Sequence, residues 1–310
     1  MKDIQIFLST YNGEKYLRAQ LNSFLTLSNF ERIKVLIRDD GSTDGTRAIL
    51  EEYSERYGFE VIFGENVGLN ASMHELVLAS DPACRFFAFS DQDDVWLSNK
   101  LYRAAERLAP FAESDIPVLY AASSTLVDEQ LRKIGHTAIP KRKPSFYNAL
   151  VENVCVGHTQ VCNRAAIELL KLGHSKDVMV MDYWVYTVVS AFGRIVYDPV
   201  YTTLYRQHGK NVIGYSSSRW SNFKMRLKRL SSRRSELNTK QLAAFLDIYG
   251  SSIPDDYRRE GERFLNKQKN FFTRAGYIFM TKAYRQKRTE CLVFRLMYLF
   301  GRYKIKKYKE

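Results

Sequence analysis

The sequence has no uninterrupted apolar segment of the roughly 18 residues that a membrane-crossing helix needs. Its opening, MKDIQIFLSTYNG, holds too short an apolar run for a secretion-signal core, and no small-residue cleavage site follows. The expectation is a chain made and kept in the cytoplasm. Cysteine is sparse: Cys84, Cys155, Cys162 and Cys291 form no C-x-x-C pair. That argues against a disulfide framework or a thiolate zinc centre and leaves ordinary buried thiols. There is no G-x-G-x-x-G, so the dinucleotide fingerprint is missing. No internal repeat is evident, and no compositional bias points to disorder or collagen.

What is present is 45% hydrophobic residues in a chain of 310. That is enough for one large α/β domain with an extension, or for two domains. The net charge of +13 is unevenly placed. Residues 215–310 carry 24 Lys/Arg against 8 Asp/Glu, while residues 1–214 are slightly acidic. A near-neutral body with a strongly basic tail points to an anionic partner of that tail: a membrane surface, a nucleic acid or an acidic polymer.

The hydrophobic pattern alternates between strands and helices. IQIFLSTY, IKVLI, EVIF and RFFAFS read as strands; GEKYLRAQLNSFLTL, GTRAILEEYSERYG (closed by Gly58) and NASMHELVLAS read as helices. This order predicts a doubly wound α/β architecture with a mostly parallel central sheet flanked by helices. Ligands bind beyond the carboxyl ends of such strands. Further on, VLYAASSTLVDEQ reads as a strand, MVMDYWVYTVVSAFG as an aromatic helix, and RIVYDPVYTTLYRQHGKN as a hairpin. Breaks are expected at Ser216–Ser218 and at SIPDD, residues 252–256.

Three strand ends are polar: Thr10-Tyr11-Asn12, Asp39-Asp40-Gly41-Ser42 and Asp91-Gln92-Asp93-Asp94. Read as an extended segment, the last places Asp91 and Asp93 on one side. Two carboxylates with phosphate oxygens and waters suit Mg²⁺ or Mn²⁺. The plain alternative is a solvated acidic turn, with Asp94 or Ser98 capping a helix that begins near Trp96. A carboxylate of the Asp39-Asp40 pair can accept the imide N–H of uracil or thymine, and Tyr11 offers a ring on which a base stacks.

Together, STYNGEKYL, RDDGSTDGT, ENVGLN and FSDQDDVW resemble the family 2 glycosyltransferases of GT-A fold. SDQDDVW with MDYWV and YRQHGKN is similar to their bacterial rhamnosyltransferase branch, which builds surface polysaccharides from dTDP-L-rhamnose. The likeness spans residues 3–214. It implies a GT-A catalytic domain over residues 1–214 and a basic helical C-terminal region over 215–310. It also implies roles by position. Thr10, Tyr11 and Glu14 match the first nucleotide-contact segment, and Asp40 the acid on the base. Asn66 and Gly68 match a loop near the nucleotide. Asp91 matches the ribose contact, Asp93 the metal ligand, and His208 a histidine at the metal or pyrophosphate. Asp182 takes the place of the catalytic base, for transfer with inversion.

Some of these residues have a structural competitor to the functional role. Asp182 is also placed to be a helix N-cap. His208 fits a hairpin turn, and Asp44 fits a cap on the following helix better than a ligand contact. His158 is a candidate acceptor contact. Trp184 and Tyr183 are candidates for stacking on sugar faces, against the ordinary reading of an aromatic pair as core.

On a helical wheel, Arg288, Arg295, Arg302, Lys306 and Lys309 form a stripe beside Leu292, Leu296, Leu299 and Tyr303, with Val293, Met297 and Phe300 extending the apolar side. This suits an interfacial helix on anionic lipid, at the inner face of the cell membrane where a lipid-linked glycan acceptor would lie. Packing on the catalytic domain or across a homodimer is the alternative. A nucleic-acid-binding protein is the competing class. The absence of a nucleic-acid motif and the terminal position of the charge speak against it.

Overall fold

A computed structural model describes residues 2–173, 176–208 and 234–305. The expected break at Ser216–Ser218, and Lys306 and Lys309 of the basic stripe, lie outside the described residues. The chain forms two compact units, neither contiguous in sequence. The first comprises Met1–Ile139, Cys155–His174 and Phe192–Val212; the second comprises Pro140–Val154, Ser175–Ala191 and Ile213–Glu310. The division differs from a single cut at residue 214, because two internal segments join the C-terminal helices.

In the first unit, β1 (Ile4–Thr10), β2 (Ile33–Asp39), β3 (Glu60–Phe63) and β4 (Phe86–Ser90) are parallel, in the spatial order β3-β2-β1-β4. Helices α1 (Glu14–Leu25), α2 (Thr46–Tyr57) and α3 (Leu69–Leu78) connect them. β1 and β4 are buried at every residue and β2 nearly so; β4 reads as a continuous apolar run, while β1 and β2 carry Gln5 and Lys34 among their apolar residues. α1 turns Leu17, Leu21 and Phe24 into a core with Ile6, Leu8, Ile37 and Leu50. α2 stops at Gly58, whose φ of 69° is the left-handed conformation glycine allows at little cost.

After β4 come β5 (Val95–Trp96), α4 (Lys100–Leu108), β6 (Val118–Val127) and β7 (Lys133–His136). Then, in the second unit, comes α5 (Phe146–Ala149), followed in the first by β8 (Val161–Asn163) and α6 (Arg164–Lys171). The helix expected near Trp96 begins at Lys100 instead, since Val95–Trp96 pair with a later strand. The sheet continues β4-β8-β6 through antiparallel pairings, and β7 flanks β6.

α7 (Met181–Phe192) leads to β9 (Arg194–Arg206). The expected hairpin is one 13-residue strand, parallel to β6 and antiparallel to β5. Asp198 pairs with Ala122 and Tyr201 with Ser123, so Pro199 and Val200 are extruded as a bulge. Proline, lacking an N–H for the ladder, is tolerated there and imitates a turn in the sequence.

The second unit also holds α8 (Arg234–Tyr249), α9 (Asp255–Asn266), α10 (Phe271–Met280) and α11 (Arg288–Leu299). Its interior is aromatic: Phe146, Trp184, Phe245 and Tyr249 form one cluster, and Phe264, Tyr277, Tyr298 and Tyr303 another. The inner face of α11 is Phe294, Met297 and Tyr298, while Leu292, Val293, Leu296 and Phe300 are exposed. Tyr303, expected beside the basic stripe, is buried. No described helix is long and apolar enough to cross a membrane.

Candidate functional site

The register aligns Thr10 with Asp39 and Leu8 with Ser90, so β1, β2 and β4 end at one edge of the sheet. The turn after β1 is tied to the turn after β2. Asn12 sits at φ 48°, a left-handed position that Asn tolerates. Its N–H donates to Ser42 Oγ (2.9 Å), and its Oδ1 accepts from the Thr43 N–H (2.8 Å). Glu14 accepts from the Gly45 N–H (2.9 Å), so one carboxylate oxygen of this expected nucleotide contact braces the second turn. Asp44 accepts from the N–H and hydroxyl of Thr46 at the start of α2, although the cap position itself, expected at Asp44, is Gly45.

Tyr11 is 47% exposed, a free ring at the end of β1. Thr10, by contrast, is buried, and its hydroxyl donates to Gln92 Oε1 (2.5 Å). Gln92 also accepts from the Tyr11 N–H (3.0 Å) and donates to the Tyr11 carbonyl (3.2 Å). Thr10 therefore reaches the site through Gln92, which the sequence reading passed over although it sits between two noted acids.

Asp40 is likewise almost fully buried. It pairs with Arg38 and accepts from the N–H groups of Val67 (3.0 Å) and Gly68 (2.9 Å). Its carboxylate fixes the loop of Asn66 and Gly68 against the end of β2. Gly68 adopts φ 86°, and Asn66 is exposed. The residues named for the nucleotide thus come together, with Asp40 acting on the loop and Tyr11 facing out.

Asp91–Asp94 is a turn, not an extended segment. Pairing by two is therefore replaced by pairing by three: Asp91 converges with Asp94, and Asp93 leaves in another direction. Asp93 Oδ2 lies 2.7 Å from His208 Nε2, bringing together the two residues the resemblance placed at the metal. The His208 ring stacks on Tyr16 at 5.1 Å. Asp94 is no helix cap: it is wholly buried, and its Oδ1 accepts from the Arg206 N–H (3.0 Å). Arg206 also donates through Nε to the Asp93 carbonyl (2.8 Å) and through Nη1 to the Glu129 carbonyl (2.6 Å). It clamps the acidic turn to the end of β9, a function no local motif announced.

His158, expected at an acceptor, is instead fully buried behind this turn. Its Nδ1 is 3.4 Å from Asp94 Oδ2 and 3.6 Å from Asp91 Oδ2; its Nε2 is 2.7 Å from Ser124 Oγ. Lys100, also buried, donates to the His158 carbonyl (2.7 Å) and to Thr203 Oγ1 (3.0 Å). Burial and the charge of Asp91 hold the Asp93 carboxyl above the usual range, against the opposing pull of His208. Burial, then Asp91 and Asp93, raises Asp94 well above it. Burial lowers Lys100 to about 7 although Asp94 and Asp91 oppose it. Carboxylates so crowded and desolvated fit a hard divalent cation, which would reverse the mutual repulsion.

Asp182 is the second residue of α7 in the second unit. It is inside the helix rather than capping it, where a negative charge favours the helix dipole. Trp184 and Tyr183 are core: Trp184 is fully buried against Phe245 and Tyr249, so its ring is not presented to a sugar.

Residues 5–170 match the model of the family described as Glycosyl transferase family 2. The dTDP-rhamnosyl transferase RfbG of Shigella flexneri is 27% identical over 252 residues, 76% of this chain and 82% of that protein. Among solved structures, the mannosyltransferase PcManGT from Pyrobaculum calidifontis, in complex with GDP-Man and Mn²⁺, is similar with a TM-score of 0.58 at 15% identity, covering 99% of this chain and 88% of that one. Staphylococcus aureus TarS 1–349 in complex with UDP-GlcNAc gives 0.58 at 15%, covering 98% and 88%. At such identities these two likenesses speak for the fold.

Proposed function

The chain belongs to glycosyl transferase family 2, and from that premise we propose that it moves L-rhamnose from dTDP-L-rhamnose, with inversion, onto a sugar hydroxyl of a lipid-linked precursor of a cell-surface polysaccharide. The observation that carries the reading is the convergence of Tyr11, the Asp40-bound loop and the acidic turn at one sheet edge. The rhamnosyl donor is supported by the likeness to RfbG. A UDP-hexose is the second donor reading, since the Tyr11 ring would stack on uracil as readily as on thymine.

The exposed Tyr11 ring would stack on the base, and Gln92 holds it in place from both sides of its peptide. The acidic turn would hold Mg²⁺ or Mn²⁺, which when bound supplies Lewis acidity at the departing diphosphate. Arg206 keeps the turn folded by binding its backbone and Asp94. Asp182, on the resemblance, accepts the proton of the attacking hydroxyl. A base that only takes that proton leaves direct displacement at the anomeric carbon, hence inversion. The basic, apolar face of the C-terminal helices would place the enzyme on anionic lipid at the inner face of the membrane.

A donor screen tests this: purified protein with several nucleotide-sugars, hydrolysis or transfer as readout. dTDP-L-rhamnose should turn over fastest. Asp182→Asn should abolish transfer while dTDP binding stays within about threefold, as expected for a group acting only in the transition state. Turnover of no nucleotide-sugar at all would sink the proposal.

A further inference from the structure

In the second unit, two loops far apart in sequence are tied together: residues 140–145, before α5, and residues 281–287, before α11. The Gln286 side chain pairs in both directions with the Arg142 backbone. Its Oε1 accepts from the Arg142 N–H (2.7 Å), and its Nε2 donates to the Arg142 carbonyl (3.1 Å). The Tyr284 hydroxyl donates to the Lys143 carbonyl and lies 2.8 Å from Ser145 Oγ. Asn148 of α5 donates to the Tyr284 carbonyl (3.0 Å). The two backbones are thus fixed to each other.

Within two residues of that joint stand Lys141, Arg142, Lys143, Lys287 and Arg288, all exposed. Lys282 and Arg285, close by, are met by Asp256, Glu152 and Glu290. The five have no carboxylate partner among the described residues. Like charges held on one fixed joint repel, and a bound anion would offset that. Arg142 is held most firmly. Its guanidinium lies over the Tyr284 ring, 3.6 Å from the centroid, which sets its plane. A fixed planar fork matches two oxygens of a phosphate, whereas loose attraction to a charged surface needs no fixed plane. From Arg288, one side of α11 continues through Leu292 and Leu296, spaced by four residues and 59% and 45% exposed. Cations that lead into an exposed apolar track match a lipid with a phosphate head.

We propose that Arg142, with Lys141, Lys143, Lys287 and Arg288, is a seat for the diphosphate head of a lipid, and that Leu292 and Leu296 take the start of its chain. The proposal rests on reading the acceptor as lipid-linked, and names the group by which that acceptor is held. A phospholipid headgroup offers related chemistry. The stacked fork and the five cations favour a diphosphate, which carries more charge and more free oxygens than a phosphodiester.

The test is calorimetric titration of the full-length protein with farnesyl diphosphate, in EDTA so that no divalent cation draws the diphosphate to the acidic turn. Farnesyl diphosphate should bind, and excess dTDP should not displace it. Farnesol, which lacks the head, inorganic pyrophosphate, which lacks the chain, and monomeric dihexanoyl phosphatidylglycerol should each bind at least about tenfold more weakly. Arg142→Gln, and Leu292→Ser with Leu296→Ser, should each weaken binding at least about tenfold. Phe272→Ser with Phe279→Ser should leave it unchanged. No binding, displacement by dTDP, equal binding of dihexanoyl phosphatidylglycerol, or full binding by Arg142→Gln would each overturn the seat. The first three need only the wild type, so the test stands if a variant does not fold. Farnesyl diphosphate bound as described by a protein that turns over no nucleotide-sugar leaves the seat and removes the function. Sugar transfer by a protein that binds no farnesyl diphosphate removes the seat and leaves the function.

Discussion

Gln92 makes three hydrogen bonds at the end of β1, to the Thr10 hydroxyl and to the N–H and carbonyl of the next residue, Tyr11. Gln92→Ala should free Tyr11 and raise the KM for nucleotide-sugar about tenfold, with kcat less affected, because a stacking partner binds ground and transition states alike. Steady-state kinetics on both parameters would check it; a fall in kcat alone would contradict it. At the opposite end of β1, Asp3 receives Arg32 and Arg85. Burial pushes its carboxyl up, but the two guanidiniums outweigh this and hold it below the ordinary value of 3.8. A lowered pKa means stability that is present above 3.8 and lost as pH falls through the folded value. Asp3→Asn should therefore cost about 1 kcal/mol at pH 7, a modest figure because both arginines are partly exposed, and nothing once Asp3 itself is protonated. Urea midpoints of the two proteins across pH should converge on the acid side. At this scale the sequence singled out acids and histidines that the fold brings together, but not their partners. Asp94 and His158 meet only through the tertiary fold, and the period-2 reading of Asp91 and Asp93 failed because the segment turns.

Among elements, the inner parallel strands were readable because burial on both faces leaves mostly apolar runs, such as FFAF in β4. β9 was not, since Pro199 within a strand looks the same in sequence as Pro199 within a turn. β5, two residues long, exists only through its pairing with Leu204 and Thr203. The entry to β9 depends on a glycine for a steric reason. A Cβ on Gly193 would lie 1.8 Å from the Pro117 carbonyl oxygen, the same oxygen that accepts from the Arg194 N–H at 2.9 Å. Gly193→Ala must separate β9 from β6 at this point, and should cost about 3 kcal/mol, seen as a lower thermal midpoint. A change within experimental error would mean that the strands part without penalty.

For the molecule as a whole, the sequence located the basic tail but not its packing. Tyr298 and Tyr303 go inward, while Phe272 and Phe279 on α10 are 83% and 85% exposed and Phe300 beyond α11 is 69% exposed. Rings so placed, in a region of such positive charge, suit the boundary between lipid headgroups and acyl chains. The protein should cosediment with phosphatidylglycerol vesicles and not with phosphatidylcholine ones. Phe272→Ser with Phe279→Ser should reduce this at least about tenfold, and added salt should weaken it further. Equal binding to both vesicle types would remove the anionic-lipid reading.

The interleaving of the two units has a consequence for how such a chain can diversify. Each unit is assembled from three separate stretches, so a single crossover with a relative at residue 214 would graft a foreign C-terminal half onto resident segments 140–154 and 175–191. Exchange of one complete unit requires several simultaneous junctions. New acceptor or donor preferences in this lineage are therefore expected to arise by point substitution within a unit more readily than by shuffling of modules. Engineered chimeras should be cut at 139, 154, 174, 191 and 212 rather than once.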